Sequence, residues 1–244
     1  MDGTEQRVAV VTGAAGGIGS AIVAALRRDG FAVVPVDLAG GGCFSADIAT
    51  ADGNRALVAH ALERHGRLDV LVLNAGLQFM APIPEFPEAE WDRLFAVMAK
   101  GPFLAMQAAW AALAARPGSR IVVTASLSGL AGDRYKSAYV AAKHAVVGLV
   151  KVAALEAADH AMTVNAVAPG WVHTPLVDRQ LADQARLRGL PPEVILREMA
   201  AAQPGGRFVE PAEVAAVVAF LASPAASGVN GVCLPVDLGS FAGG

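Results

Sequence analysis

Short apolar runs alternate along the chain with segments long enough to form helices. Most of these runs are rich in valine and isoleucine, a composition typical of parallel strands buried on both faces. The runs span approximately 7–12, 31–37, 43–45, 68–76, 120–125, 162–170 and 231–237. Strands that alternate with helices form a doubly wound parallel sheet through right-handed crossovers. We therefore expect a single α/β domain over residues 1–244, with about seven strands and helices on both faces of the sheet.

Composition excludes several classes of protein. The chain has 244 residues, of which 55% are hydrophobic and 17% charged, so a large core is expected. The formal net charge is -3 and no basic stripe is present, which argues against a nucleic-acid partner. The apolar stretches near 103–115 and 214–226 are short for a membrane span. We also expect no metal site, because the five histidines are scattered.

The compartment is inferred from the amino terminus and the cysteines. The opening MDGTEQRVAVV begins acidic and enters a strand at once, unlike a signal peptide. Cys43 and Cys233 stand in apolar contexts and are interpreted as buried thiols. We therefore expect a cytoplasmic protein with reduced cysteines.

A glycine-rich turn joins the first strand to the first helix. It reads GAAGGIG over residues 13–19, with glycines at Gly13, Gly16, Gly17 and Gly19. A strand, a glycine turn and a helix together allow backbone N–H groups to hold a diphosphate, as in Rossmann-type folds. The spacing G-x3-G-x-G differs from the common G-x-G-x-x-G pattern. A tight strand-to-helix connection without a ligand is the alternative interpretation.

Asp37 ends the second strand, about twenty residues after the glycines. A carboxylate at this place can accept hydrogen bonds from both hydroxyls of an adenosine ribose. It would repel a 2′-phosphate, and the glycine turn holds no arginine or lysine to bind one. These features favour NAD over NADP as the cofactor. A solvated turn aspartate remains the alternative.

Three residues with acid/base chemistry follow the fifth strand. Ser126 stands at the strand end, and Tyr139 and Lys143 lie one turn apart on a predicted helix. A lysine cation near a phenol favours the phenolate, so we expect a lowered pKa for Tyr139. A tyrosine and a lysine at this spacing also occur by chance in many helices, so a purely structural pair is the alternative.

The carboxyl ends of the predicted strands share one edge of the sheet, where ligands bind in doubly wound folds. Thr12, Asp37, Asn74, Ser126 and Pro169 all fall there. Residues 171–209 interrupt the alternation with four prolines and two amphipathic pieces, so we expect a substrate lid at about 175–209. Lys100-Gly101-Pro102 predicts an irregularity between two helices, about 88–98 and 101–116.

These motifs together resemble the short-chain dehydrogenase/reductase family over essentially the whole chain. The matching pieces are TGAAGGIG at 12–19, Asp37, Asp47-Ile48, Asn74-Ala75-Gly76, Ser126, YVAAK at 139–143 and PGWVHT at 169–174. The resemblance implies a nicotinamide-dependent oxidoreductase.

The resemblance assigns roles position by position. Tyr139 would be the acid/base, Ser126 would hold the reacting oxygen, and Lys143 would bind the nicotinamide ribose and tune Tyr139. The implied cofactor-binding positions are Gly13, Gly17, Ile18, Gly19, Asp37, Asp47, Ile48, Asn74, Ala75, Gly76, Tyr139, Lys143, Pro169, Val172 and Thr174.

A narrower resemblance is to the D-3-hydroxybutyrate dehydrogenases of this family. In those enzymes a small carboxylate is held by glutamine, lysine, tryptophan and a lid glutamine. The matching residues here are Gln78, Lys136, Trp171 and Gln180. The implied substrate-binding set is Gln78, Ser126, Ser128, Lys136, Tyr139, Trp171 and Gln180. A surface lysine at 136 is the alternative.

Two positions depart from the family pattern. Met98 stands where many members carry an asparagine that completes a proton relay, and methionine is only a weak hydrogen-bond acceptor. Ser128 stands where hydroxybutyrate dehydrogenases carry a substrate-binding histidine. We therefore expect a roomier pocket with a weaker grip on a carboxylate.

The sequence thus predicts an NAD-dependent enzyme that interconverts a secondary alcohol and a ketone. The favoured substrate is a short 3-hydroxy acid such as (R)-3-hydroxybutyrate. One alternative is a dehydrogenase or reductase of another small or apolar alcohol or ketone. Another is a protein that binds NADH as a sensor or scaffold with little catalysis. The family resemblance also implies a homotetramer, packed through the Ala-rich helices at 101–116 and 139–158.

Overall fold

A seven-stranded parallel sheet forms the centre of the computed structural model, which describes residues 6–243. Its strand order is β3-β2-β1-β4-β5-β6-β7, and every pairing is parallel. The strands are β1 (Val8–Thr12), β2 (Ala32–Asp37), β3 (Phe44–Ser45), β4 (Val70–Leu73), β5 (Arg120–Thr124), β6 (Thr163–Pro169) and β7 (Cys233–Val236). The predicted doubly wound sheet is confirmed. The predicted domain limits reach residues 1–5 and 244, and the interpretation of the opening residues MDGTE falls there too. Both lie outside the described residues.

Eight α-helices flank the sheet or follow its last crossovers. They are α1 (Gly17–Arg28), α2 (Ala51–His65), α3 (Glu88–Phe95), α4 (Gly101–Ala114), α5 (Ser137–Ala158), α6 (Pro175–Arg188), α7 (Pro192–Ala201) and α8 (Pro211–Ala222) among the residues described. Helices α1 and α8 pack on one face of the sheet, and α2, α4 and α5 pack on the other. Successive strand residues face opposite sides, so Leu71 joins one core and Val72 the other. Burial on both faces explains the continuous apolar runs.

The strand order places a topological switch point between β1 and β4. Chain crossovers leave β1 toward β2 on one side, and β4 continues toward β5 on the other side. A crevice therefore opens at the carboxyl ends of these two strands. Asp37, Asn74 and Ser126, at the ends of neighbouring strands, line that crevice, and the buried Thr12 hydroxyl accepts a hydrogen bond from the Asn74 N–H.

The predicted irregularity near Pro102 is a π turn. Residues Ala96–Lys100 form one π-helical turn between α3 and α4, so the helix runs without a break from Glu88 to Ala114. Pro102 lacks the N–H that a regular helix would use, and it stands in the first turn of α4. Met98 lies in this turn.

Two helices are long and apolar enough to cross a membrane by length and composition, Glu88–Ala114 and Ser137–Ala158. The first contains the stretch near 103–115, which was expected to be too short for a span. That stretch is short, but the π turn extends the helix around it. Both helices pack one side against the sheet, with 39% and 44% of their most apolar windows buried. Core helices pass the same test of length and composition.

The segment predicted as a lid forms α6 and α7, which enclose a small apolar cluster of Val177, Ile195 and Met199. Gln203, which is 1% exposed, joins the two ends of this segment at the base of the lid. The Gln203 side chain accepts from the Trp171 N–H (3.2 Å) and donates to the carbonyls of Trp171 (3.2 Å) and Arg207 (2.6 Å). A parallel bridge between Val172 and Val209 adds to this closure.

Replacing Gln203 with alanine is expected to destabilise the fold, because it leaves buried backbone groups of the lid base without partners. A buried unsatisfied group costs about 1–3 kcal/mol, so thermal unfolding should move down by roughly 3–10 °C. Differential scanning calorimetry measures the change. Gln6→Ala, at an exposed glutamine, is the matched control. Equal midpoints for the two variants would contradict the role assigned to Gln203.

Candidate active site

A cavity of about 860 Å³ occupies the crevice at the carboxyl ends of the strands. One end lies at Asp37 and the glycine turn, and the other at Trp171 and Gln180 of the lid segment. Of the predicted site residues, all but Gln78 line it. The sheet therefore gathers residues from seven separate chain segments into one site.

Three glycines of the turn leave no room for a side chain. Gly13 has a φ of 65°, and a Cβ at Gly19 would lie 2.0 Å from the Gly13 carbonyl oxygen. A Cβ at Gly17 would lie 2.8 Å from the Thr174 methyl carbon. Helix α1 begins at Gly17, and no side chain caps it. Its first N–H groups thus face the cavity without intrahelical partners, the arrangement that binds a phosphate.

Asn74 joins the ends of three strands. Its N–H donates to the Thr12 hydroxyl (3.0 Å), and its side-chain amide donates to the carbonyls of Thr12 and Gly13 (both 3.2 Å). The Thr124 hydroxyl donates to the Asn74 side-chain oxygen (3.1 Å). Asn74, predicted to line the cofactor path, is therefore also a structural tie. Thr124 was missed because a threonine in an apolar strand carries no signal of such a role.

The far end of the cavity is built around Asp37. Its carboxylate accepts from the N–H of Ala15 (2.9 Å) and of Leu38 (2.8 Å). Asp47 accepts from the Ala49 N–H (2.9 Å), and buried Ile48 lines the cavity wall. Among the described residues that line this end, none is arginine or lysine. The residues present fit the adenosine and diphosphate of a nicotinamide dinucleotide.

Ser126, Tyr139 and Lys143 meet in the middle of the cavity. Ser126 follows β5 directly, and its hydroxyl is hydrogen-bonded to the Tyr139 side chain. The Lys143 ammonium donates to the Thr124 carbonyl (2.7 Å) and lies 5.6 Å from the centroid of the Tyr139 ring. The three residues predicted from their spacing are therefore brought together, with Tyr139 and Lys143 on one face of α5.

The expectation that Lys143 lowers the pKa of Tyr139 is wrong for this structure. Burial raises the pKa of Tyr139, the hydrogen bond to Ser126 lowers it in part, and the Asp133 carboxylate raises it again. Burial also lowers the pKa of Lys143 from 10.5 to about 8. Desolvation penalises both charged forms, an effect that residue spacing cannot reveal. Tyr139 is thus a neutral phenol near pH 7.

Lys136 lines the other end of the cavity and is only 3% exposed. Its ammonium pairs with the Asp133 carboxylate (2.7 Å) and lies 4.2 Å from the centroid of the Trp171 ring. The Ser128 hydroxyl donates to the same carboxylate oxygen (3.4 Å). The alternative of a surface lysine is excluded. Asp133 was missed, although its position three residues before Lys136 was the available signal.

The two glutamines differ in position. Gln180 lines the cavity, and its side-chain oxygen is buried with no hydrogen-bond partner among residues 6–243. Gln78 does not line the cavity. Both polar atoms of its side-chain amide are nevertheless buried, and neither has a hydrogen-bond partner among the residues described. Orphaned buried amide atoms are uncommon in folded proteins and indicate a place for a polar ligand.

Met98 packs against Leu94, Ala138 and Ala142 and is 1% exposed. A Cβ built on Gly76 would lie 3.7 Å from the Met98 sulfur and 3.9 Å from the Lys143 ammonium nitrogen. The Met98 sulfur and the Lys143 ammonium thus both lie near Gly76, and the sulfur cannot donate a proton. Within the residues described, no group of three or more His, Cys, Asp or Glu side chains could hold a metal ion.

Comparisons with known proteins identify similar chains. A family model described as enoyl-(acyl carrier protein) reductase matches residues 13–240. D-beta-hydroxybutyrate dehydrogenase of Cupriavidus necator is 37% identical over 250 residues, which cover 96% of this chain and 97% of that protein. Cis-4-hydroxycyclohexanecarboxylate dehydrogenase of Sinomonas cyclohexanicum is 40% identical over 250 residues, 96% of each chain. A crystal structure of a variant actinorhodin polyketide ketoreductase with NADPH superimposes with a TM-score of 0.93, 33% identity and coverage of 96% and 97%.

Replacing Lys143 with methionine is expected to change how stability depends on pH. The fall of the Lys143 pKa from 10.5 to about 8 corresponds to about 3 kcal/mol against folding at neutral pH. Between pH 8 and 10.5 the unfolded chain keeps this proton and the folded chain loses it, so wild-type stability rises with pH. The midpoint of Lys143→Met minus that of wild type should therefore fall across this window.

Thermal unfolding at several pH values from 7 to 10.5 measures this difference. Lys151→Met, at an exposed lysine on the same helix, is the control and should show a smaller trend. A difference that stays constant with pH would contradict the assigned cost of the buried ammonium.

Proposed function

Because the chain belongs to the short-chain dehydrogenase/reductase family, whose members are oxidoreductases that bind a nicotinamide cofactor, we propose that it interconverts a secondary alcohol and a ketone with NAD. The favoured substrate is a short 3-hydroxy acid such as (R)-3-hydroxybutyrate, with acetoacetate as its oxidised partner. Membership in a family of enzymes favours catalysis over the alternative of a sensor or scaffold. We also propose that the protein acts in the cytoplasm.

One observation carries the choice of substrate. The Lys136 ammonium is buried in the same cavity as the Ser126 and Tyr139 hydroxyls. Asp133 already gives this cation one anionic partner, but an ammonium buried at the substrate end can also bind a substrate carboxylate by charge-assisted hydrogen bonds. The names of two relatives, D-beta-hydroxybutyrate dehydrogenase and cis-4-hydroxycyclohexanecarboxylate dehydrogenase, also describe molecules with both a hydroxyl and a carboxylate. The orphaned amide oxygen of Gln180 supports a polar ligand at this end.

The side chains divide the chemistry between them. In the reducing direction the neutral Tyr139 phenol donates its proton to the substrate oxygen, and in the oxidising direction it must accept that proton. The Ser126 hydroxyl hydrogen-bonds the same oxygen and orients it toward Tyr139. The Lys143 cation, one turn away, stabilises negative charge that develops on the phenol oxygen. When bound, the nicotinamide cofactor supplies or accepts the two electrons and the carbon-bound hydrogen.

NAD is preferred because of the residues around Asp37. A carboxylate there favours ribose hydroxyls and repels a 2′-phosphate, and the lining residues described at this end include no cation to compensate. The related polyketide ketoreductase structure holds NADPH, so the fold itself does not exclude a 2′-phosphate. The preference therefore depends on Asp37.

A second candidate substrate class is a small neutral or apolar ketone. Asp133 offsets the charge of Lys136, and Leu127, Leu176 and Val177 give the cavity apolar walls. In this case Lys136 is a structural group and the cavity excludes acids.

A homotetramer is proposed from the family resemblance and from the outer faces of two helices. Phe103 on α4 and Val152 and Leu155 on α5 are 48%, 54% and 77% exposed. Exposed apolar residues on adjacent helices are typical of surfaces buried between subunits. A solution mass equal to one chain would contradict this assembly.

Lys136→Met is expected to raise the KM for (R)-3-hydroxybutyrate by about 10–100-fold, the loss typical of a charged hydrogen bond. Turnover of 2-butanol should change by no more than about twofold, because a neutral alcohol makes no use of the cation. Steady-state kinetics with both substrates measures this, with Lys151→Met as the control. An unchanged KM for the acid would contradict the carboxylate site and favour the neutral ketone.

Asp37→Asn is expected to lower the ratio of kcat/KM for NAD to that for NADP by about 10–100-fold. The substitution removes a negative charge that favours ribose hydroxyls and repels the 2′-phosphate. Asp29→Asn, at the end of α1, is the matched control. The same ratio in wild type and Asp37→Asn would contradict the role of Asp37.

A further inference from the structure

Asp133 is a carboxylate at the substrate end of the cavity. Three described carboxylates line the cavity, and the other two, Asp37 and Asp47, lie at the adenosine end. Its contacts are with Lys136 and Ser128, both of which line the same end.

The ion pair between Asp133 and Lys136 is asymmetric. The Lys136 side chain is 4% exposed, whereas that of Asp133 is 33% exposed. The ammonium therefore depends on partners inside the cavity, and the carboxylate can still reach water. Trp171 covers one side of the ammonium with its ring, and Asp133 takes up another at 2.7 Å. Ser128 stands where hydroxybutyrate dehydrogenases carry a histidine. Because serine is shorter, it leaves room for the Asp133 carboxylate, and its hydroxyl donates to that carboxylate.

The backbone holds the pair in this arrangement. Tyr135, between the two residues, has a φ of 68°, a left-handed conformation that non-glycine residues seldom adopt. Its carbonyl accepts from the Ala81 N–H (3.0 Å), which fastens the loop to the segment after β4. Asp133 and Lys136 are three residues apart, and only Lys136 borders a helix. The bend between them lets the two side chains meet on the cavity side. The pairing is thus part of the loop geometry.

We propose that Asp133 sets the charge selectivity of the substrate pocket by occupying the Lys136 ammonium that a substrate carboxylate needs. An acid must share Lys136 with Asp133 or displace that carboxylate toward water. Both routes weaken acid binding, because two negative groups then approach one cation. Neutral ligands meet no such competition. The inference rests on the proposed function only in taking Lys136 as the carboxylate site.

An opposite role is also chemically coherent, in which Asp133 positions Lys136 for the substrate. The two roles predict opposite effects of removing the negative charge. Asp133→Asn keeps a side-chain oxygen that can accept from the Lys136 ammonium, so the lysine retains a partner. If Asp133 competes, acids bind more tightly to this variant. If Asp133 positions the lysine, acids bind no better or more weakly.

The experiment is calorimetric titration of butyrate and of neutral butyramide into the full chain saturated with its cofactor. Asp133→Asn is expected to bind butyrate about tenfold more tightly than wild type, with butyramide affinity unchanged. Asp133→Ala should shift butyrate in the same direction. Asp52→Asn, at an exposed aspartate paired with Arg55 in the same i, i+3 spacing, is the matched control and should match wild type. Thermal unfolding of each variant verifies that it folds.

Butyrate affinity that is unchanged or weaker in Asp133→Asn would overturn the proposal, as would equal tightening of butyrate and butyramide. An absence of butyrate binding in every variant would overturn it too. Turnover of (R)-3-hydroxybutyrate by the same preparations separates this inference from the proposed function. Tighter butyrate binding without turnover supports the role of Asp133 and overturns the proposed substrate.

Discussion

The hydrogen bonds of Asn74 hold the carboxyl ends of β1, β4 and β5 together at the switch point of the sheet. The glycine turn leaves the first of these strands and Ser126 follows the third, so both halves of the site depend on this tie. A Cβ at Gly13 would lie 2.7 Å from the Ala75 Cα, which shows how little space the junction has. The position of the catalytic groups therefore follows from strand order and from close backbone packing. Loop conformation determines only how the side chains at the substrate end of the cavity are arranged.

Burial of charge is the second constraint on the site. Lys143 and Lys136 are 4% and 3% exposed, and each is stabilised by few partners: a strand-end carbonyl for Lys143, and a carboxylate and an indole ring for Lys136. Such cations interact strongly with any anion that enters, because water screens them little. At the middle of the cavity this favours charge developing on the Tyr139 oxygen. At the substrate end the outcome depends on which carboxylate, that of Asp133 or that of the ligand, reaches Lys136.

The sequence was sufficient for the fold and for most of the residues that line the cavity, and insufficient for their energetics. Three local patterns were informative: the apolar strand runs, the glycine turn, and the spacing of Ser126, Tyr139 and Lys143. Each depends on residues close together in the chain, so it can be recognised without the folded structure. The pKa of Tyr139 was predicted in the wrong direction because desolvation is a property of the assembled cavity. Asp133 was missed although it stands three residues before Lys136, because that spacing outside a helix does not by itself predict an ion pair; the bend at Tyr135 accompanies the pairing. Gln78 matches its expected position in the chain but does not line the cavity, since small shifts in a loop decide which side chains reach a ligand.

The proposed substrate and the role of Tyr139 are tested most simply by NADH formation from (R)-3-hydroxybutyrate with the purified protein. The S enantiomer is measured in parallel, and Tyr139→Phe serves as the blank. We expect turnover of the R acid with NAD and little turnover of the S acid. The rate with Tyr139→Phe should fall by at least about a hundredfold, the usual scale of general acid–base catalysis. Turnover of 2-butanol with none of either acid would contradict the assigned substrate. Full activity in Tyr139→Phe would contradict the assigned chemistry.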